Sequence, residues 1–304
     1  MHNSIAPVII FTYKRLDTLK KTIDSLMNCK LANETDVFIF SDAAKGPNDE
    51  KEVNEVRTYL SGLTGFKGIH IEYAAKNKGL ANSIIQGVSK IIDQYEQTIV
   101  LEDDLIVSEN FLQFMNASLA FYKNNTKVFS ISGYSLPVRV PNYYKYDVYF
   151  TPRGLSWGWS TWKDRWNKVD WQVSDFEQLK NNSLAKKSFA QGGTDLFPML
   201  EKQMTGNLDS WAIRWFYSQF KMNQLTVYPV DSTVMNMGFD ERATHTNVYK
   251  RYETSLDRSG KKSFIFTDKV EVDPIILKSF QRYYSISTRI FYGRIITPLY
   301  RLKQ

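Results

Sequence analysis

Thr98-Ile99-Val100-Leu101-Glu102-Asp103-Asp104-Leu105 is the stretch on which the reading of this chain turns. Residues 98–101 are an uninterrupted apolar and β-branched run, the pattern of a strand buried on both faces in the middle of a sheet. Three carboxylates follow at its exit. Like charges crowded into a partly desolvated position are unfavourable unless something neutralises them, and a divalent cation does so. Ligands of open α/β sheets bind at the carboxyl ends of the strands, where Glu102, Asp103 and Asp104 emerge. Hard carboxylate oxygens select Mg²⁺ or Mn²⁺, ions that keep water and hold substrate phosphates. By itself an acidic triplet ahead of a helix also reads as a solvated capping cluster. Its place after a buried strand favours the ion.

Outward from this stretch, strand and helix signals alternate toward the N-terminus. Residues 8–11 form a short apolar strand, and Leu16, Leu19, Ile23 and Leu26 recur on one helical stripe. A strand at 37–40 precedes a helix opened by Pro47, with Val53, Val56, Leu60 and Leu63 at the same spacing. Residues 69–73 alternate as a strand, and Ala81, Ile84, Ile85, Val88, Ile91 and Ile92 share a helix face. Toward the C-terminus, Ser108 is the expected N-cap of a helix reaching Tyr122, followed by a strand at 128–132. Residues 135–171 are rich in aromatics, proline and glycine and read as long loops with short strands. A helix from Asp209 to about Met222, a strand at 225–228 and a loop at 236–246 complete the pattern. The alternation predicts an α/β fold with a mainly parallel central sheet and helices on both faces. Residues 1–134 form the regular half, 135–255 an irregular half, and 256–304 a basic, aromatic C-terminal extension.

With 304 residues, 43% apolar, the chain can bury a sizeable core. Its single cysteine, Cys29, excludes an internal disulfide framework, and His2, His70 and His245 are too scattered for a zinc motif. Neither a secretory leader nor an apolar run long enough to span a bilayer is visible, which predicts a cytoplasmic protein. The net charge of +7 is unevenly placed: after Asp273 there is no acid, while Lys278, Arg282, Arg289, Arg294, Arg301 and Lys303 alternate with apolar residues. That segment reads either as a helix packed on the domain or as a surface for an anionic membrane, peripheral on its inner face. No nucleic-acid-binding motif accompanies the charge, so nucleic acid is not expected as a partner.

Several segments carry a family resemblance: Pro7 to Leu26, Asn77-Lys78-Gly79-Leu80-Ala81-Asn82 and Leu101-Glu102-Asp103-Asp104-Leu105. They resemble the nucleotide-binding half of GT-A glycosyltransferases, in particular glycosyltransferase family 2. The Glu-Asp-Asp-Leu form followed by Val107 and Phe111 is similar to N-acetylglucosaminyltransferase I and related bacterial sugar transferases. So are Trp157-Gly158-Trp159-Ser160-Thr161-Trp162, Asn236-Met237-Gly238-Phe239-Asp240 and Thr244-His245-Thr246. The resemblance spans roughly residues 5–250 and implies a Rossmann-like nucleotide-diphospho-sugar transferase fold.

It also implies roles. Asp104 is the direct metal ligand, and Glu102 and Asp103 contact the donor's ribose, base or sugar. Asp42 hydrogen-bonds the nucleobase, or is a turn residue before Ala43-Ala44. Arg15 meets the diphosphate together with a helix N-terminus, with Lys78 as a further donor-binding candidate; both also read as solvated surface cations. Asp209 is the base that deprotonates the acceptor hydroxyl, its proton affinity raised by an apolar wall at Trp211, or else a helix N-cap. Trp157 and Trp159 offer ring faces to an acceptor sugar or bury themselves as a local core. His245 reaches the metal or diphosphate from a closing loop, or is a plain hydrogen-bonded side chain.

The expected activity is a metal-dependent, inverting transfer of a sugar from a nucleotide-diphosphate donor, UDP-linked, to a glycan or lipid-linked glycan acceptor. One rival is a sugar-phosphate nucleotidyltransferase, although the first loop reads Thr12-Tyr13-Lys14-Arg15 where that class needs a glycine-rich one. The other is a non-catalytic membrane- or nucleic-acid-binding protein on a decayed enzyme fold.

Overall fold

A computed structural model describes residues 5–238 and 252–291. The first four strands alternate with helices: β1 (Val8–Thr12), α1 (Leu16–Met27), β2 (Asp36–Ser41), α2 (Pro47–Ser61), β3 (Gly68–Tyr73), α3 (Leu80–Tyr95) and β4 (Gln97–Glu102). There follow β5 (Leu105–Val107), α4 (Phe111–Tyr122), β6 (Val128–Ser132), β7 (Val148–Thr151) and β8 (Trp159–Trp162). Then come α5 (Lys163–Trp166), α6 (Phe176–Asn181), α7 (Ser183–Phe189), α8 (Leu196–Met204) and α9 (Trp211–Lys221). The described chain closes with β9 (Leu225–Pro229), β10 (Val234–Asn236), α10 (Pro274–Tyr283) and α11 (Ile286–Phe291).

Eight strands form one sheet in the order β3-β2-β1-β4-β8-β6-β9-β7, and β10 pairs with β5 in a small second sheet. β3, β2, β1 and β4 are parallel neighbours. Each successive pair in the chain is joined by a crossover helix, which parallel strands require. Beyond β4 the sheet is mixed: β8 lies antiparallel between β4 and β6, and β7 runs antiparallel to β9 at the edge. No helix separates β6, β7 and β8, so the crossovers that kept the first half parallel are missing there.

Alternation along the central strands feeds two cores. Val8 and Ile10 point to one face with Leu19, Ile23 and Leu26 of α1, Val56 and Leu60 of α2, and Met115 and Leu119 of α4. Ile9 and Phe11 point to the other, with Ile84, Val88 and Ile91 of α3 and Ile213 and Trp215 of α9. Helices therefore cover both faces, as the sequence pattern predicted. Two helix starts differ from expectation. α4 begins at Phe111 after Asn110, and the Ser108 hydroxyl donates to Asn110 Oδ1 instead of capping the helix. α9 begins at Trp211, and its cap is Ser210, whose Oγ accepts from Ile213 N. Among the described residues no helix is long and apolar enough to cross a membrane.

Candidate functional site

The chain runs from β1 outward to β3 and then returns to place β4 on the other side of β1. The switch in direction opens a crevice between the exits of β1 and β4, the position where open α/β sheets bind ligands. Both sides of it carry charge. Arg15, at the N-terminus of α1, reaches across with Nη2 to Asp104 Oδ2 at 2.6 Å and Asp103 Oδ1 at 3.1 Å. Asp103 is buried and also accepts from Thr12 Oγ1 at 2.9 Å and from Tyr13 N at 3.2 Å. It thereby clamps the β1–α1 loop to the β4 exit. Lys14 and Tyr13 are drawn aside to Asp49 at the start of α2.

The acidic triplet is thus partly neutralised by a residue 88 positions away. Only Nη2 of Arg15 is engaged with described residues, so Nε and Nη1 keep their donors for an anion in the crevice. Three carboxylates against one guanidinium leave two formal negative charges. The strain of that surplus shows at Glu102: burial first, then the charges of Asp104 and Asp103, push its carboxyl up to about 8 against the pull of Arg15. Asp103 is likewise raised, mainly by burial.

Among the described residues no three His, Cys, Asp or Glu side chains converge into a metal cage. An ion such as Mg²⁺ or Mn²⁺ takes one or two carboxylates and completes its shell with water and phosphate oxygens. Asp104, partly exposed at the mouth, fits as the protein anchor; His245 lies outside the described residues. The far wall is a segment whose role the sequence reading left open. β10 pairs Asn236 with Leu105, Met237 N donates to Asp104 O at 2.9 Å, and Gly238 N donates to Asn236 Oδ1 at 2.6 Å. A Cβ on Gly238 would stand 2.3 Å from Asp104 Oδ2. Only glycine lets this backbone lie against the carboxylate.

Asp42, at the exit of β2, lies beside the β3–α3 loop. Its Oδ1 accepts from Ala43 N and Lys78 N at 2.9 Å, and its Oδ2 accepts from Gly79 N at 3.0 Å. The carboxylate therefore builds the Asn77-Lys78-Gly79 turn that leads into α3, and little acceptor capacity is left for a base. The Lys78 side chain, on the exposed rim, lines a cavity of about 160 Å³ with Ser41, Asp42 and Glu72. The buried Ser41 hydroxyl has no hydrogen-bond partner among the described residues.

Two expectations on the acceptor side need correction. Trp159 is 1% exposed and stacks on Trp166, with Trp211 and Trp215 packed against it. It is a core residue and offers no ring face to an acceptor; Trp157, partly exposed, packs edge-on against Tyr134 and Tyr252. The expected apolar wall beside Asp209 is also missing. Trp211 turns into the core, while Asp209 is exposed and its charge is felt by Arg214. Trp211 rests on Trp159, whose Cα pairs with Val100, so the start of α9 packs on the sheet beside β4 and β8.

A family model described as Glycosyl transferase family 2 matches residues 8–182. No curated protein matches the sequence. Among similar solved structures is the mannosyltransferase PcManGT from Pyrobaculum calidifontis in complex with GDP-Man and Mn²⁺. It is 12% identical over 53% of this chain and 45% of that one, with a TM-score of 0.38. S. aureus TarS 1-349 is 12% identical over 75% of this chain and 58% of that one, with a TM-score of 0.42. The same protein in complex with UDP-GlcNAc is 11% identical over 75% and 56%, at 0.41. The match spans about half the length of these structures.

Proposed function

Because the chain belongs to glycosyl transferase family 2, whose model covers more than half of its length, we propose that it is a metal-dependent inverting transferase using a nucleotide-diphosphate sugar, UDP-linked. Its sheet is the GT-A fold of that family. Residues 1–134 hold the donor and 135–255 the acceptor, a glycan or lipid-linked glycan. The observation that carries the reading is the crevice between β1 and β4, where Arg15 clasps Asp103 and Asp104 and Glu102 stands beside them.

In this reading the diphosphate lies across the N-terminus of α1, where backbone N–H groups and the unused donors of Arg15 meet its oxygens. Asp104 would hold Mn²⁺ or Mg²⁺, which would supply Lewis-acid stabilisation of charge growing on the departing diphosphate. Glu102 lies on the sugar side of the crevice, Asp103 keeps the β1–α1 loop in register, and Asp42 with Lys78 shapes the nucleoside end. Asp209 takes the proton from the acceptor hydroxyl as its oxygen bonds to the anomeric carbon and the bond to the diphosphate oxygen breaks. A single displacement of this kind inverts the anomeric centre. The protein works in the cytoplasm, where the basic segment after Asp273 faces the inner surface of the membrane.

Thermal shift of the full chain with UDP, GDP, CMP and their sugars, each with MnCl₂ or with chelator, tests the reading. Ligand bound to the native state raises the melting temperature. UDP with Mn²⁺ is expected to raise it in the wild type and not in Asp104→Ala. A panel in which no nucleotide moves the transition refutes the donor site.

A further inference from the structure

The same edge of the sheet carries a second surface, toward β7 at the end of the sheet opposite β3. β7 runs antiparallel to β9 with Val148 opposite Pro229, and β9, β6 and β4 point the same way. The loop over residues 133–147 therefore returns along the edge where β1 and β4 end. On it Tyr143 and Tyr146 are exposed, Tyr143 by 60%. Tyr143 Oη donates to Asp273 at 2.7 Å, which ties the loop to the start of α10, where Ile275 is exposed. Asp147 N donates to Ile265 O at 2.9 Å and Asp147 Oδ2 accepts from Ile265 N at 2.6 Å. This sets Ile265, 57% exposed, beside Tyr146.

Cations are interleaved with these apolar groups. Lys145, Lys262 and Lys278 are exposed, and none forms an ion pair with a described residue. On α10 the outward stripe is Ile275, Lys278 and Arg282, while Ile276 and Phe280 on the opposite side fill the core. α10 is therefore an ordinary packed amphipath, and the face it presents outward with the 139–147 loop is left uncovered by the described residues. The nearby acids are already committed. Asp147 is paired with Lys261, Asp273 caps α10 through Ile275 N and Ile276 N, and Glu271 is paired with Lys269.

Tyrosine and isoleucine side chains among free lysines suit an interface that is apolar within and anionic at its surface. Lysine stems lie along the apolar part while their ammonium groups reach headgroup phosphates. The geometry points to an anionic lipid bilayer as the partner of this face, with the donor crevice opening along the same edge. Only one consequence rests on the transferase reading, that the acceptor hydroxyl is met at the headgroup layer. The membrane contact stands without it, and it differs from contact through the C-terminal segment alone.

Sedimentation of the full chain with vesicles of phosphatidylcholine alone, and of phosphatidylcholine mixed equally with phosphatidylglycerol, tests this. Binding is expected only to the anionic vesicles. Each lysine near such a surface is worth about fivefold in partition, so Lys145→Gln, Lys262→Gln and Lys278→Gln together should weaken it on the order of a hundredfold. Ile265→Ser with Ile275→Ser should weaken it at unchanged charge. Wild-type partition of the triple lysine variant overturns the proposal. So does loss of partition only when Arg294, Arg301 and Lys303 are changed to Gln, or binding to RNA with none to vesicles. Nucleotide-induced thermal shift measured on the same variants separates the two readings: retained shift with lost partition supports the membrane face, and vesicle binding without any shift removes only the donor site.

Discussion

Gly238→Ala strikes the donor crevice at its tightest point. The added methyl would stand 2.3 Å from Asp104 Oδ2 and 2.9 Å from Asn236 Oδ1. The backbone has little room to retreat, because Gly238 N is bound to Asn236 Oδ1 at 2.6 Å and Met237 N to Asp104 O at 2.9 Å. The Asp104 carboxylate must turn, and its 2.6 Å bond to Arg15 is lost. Those two side chains are 34% and 17% exposed, so the lost pair is worth about 1 kcal/mol, well short of a buried one. An off-rotamer carboxylate adds about 0.5–1.5 kcal/mol. For 304 residues the unfolding entropy is roughly 0.6 kcal/mol per kelvin, so a total of about 2 kcal/mol lowers the melting temperature by about 3 °C. Catalysis should suffer far more, since a displacement of about 1 Å in an active site costs on the order of a hundredfold. Calorimetry in chelator gives the first quantity, and kcat/KM over a Mn²⁺ titration gives the second. A variant with wild-type kcat/KM and wild-type Mn²⁺ dependence would show that Gly238 does not shape the metal anchor.

Two further outcomes follow from buried charge. Arg153 is buried and held by Asp195 through two bonds of 2.8 and 3.1 Å, with the Tyr284 ring 3.7 Å from its guanidinium carbon. Asp195→Ala strands that cation and should cost about 3–5 kcal/mol, or about 5–8 °C in melting temperature, a loss that added Arg153→Met should largely reverse; no reversal means the loss comes from packing. Glu102 titrates near 8 in the folded protein against an ordinary value of 4.5, so the native state retains a proton that the unfolded chain gives up. In chelator, the contribution of Glu102 to stability is therefore full below that ordinary value and is lost as pH rises toward about 8. Glu102→Gln should flatten the fall, and superimposable melting curves against pH would discard the account.

Local pattern carried the first half of the fold. Leu19, Ile23 and Leu26 fall on one helix face whatever surrounds them, and short crossovers leave β1 to β4 little choice but parallel pairing. The misreadings share a cause in distance along the chain. Trp159 is buried because its strand inserts between Val100 and Ser132, partners far from it in sequence. Arg15 reads locally as a phosphate binder, and its bond to Asp104 depends on which strand lies beside β1. Asp42 and Asp209 show how short polar residues compete for the same work. Asp42 spends its oxygens on a turn 36 residues away, and Ser210 takes the helix cap that Asp209 was expected to hold.

Strand order also sets a schedule for synthesis. The four strands made first leave the open edge of β4 unpaired until residues 159–162 leave the ribosome, and an exposed edge of that kind invites pairing with other chains. Phe280 and Tyr284, which seal one core, arrive later still. A nascent chain halted at residue 182, where the family match ends, has its central strands but neither β9 nor these last aromatic plugs. Such a fragment exposes a sheet edge and core faces that the longer chain covers, the kind of surface on which partly folded chains associate.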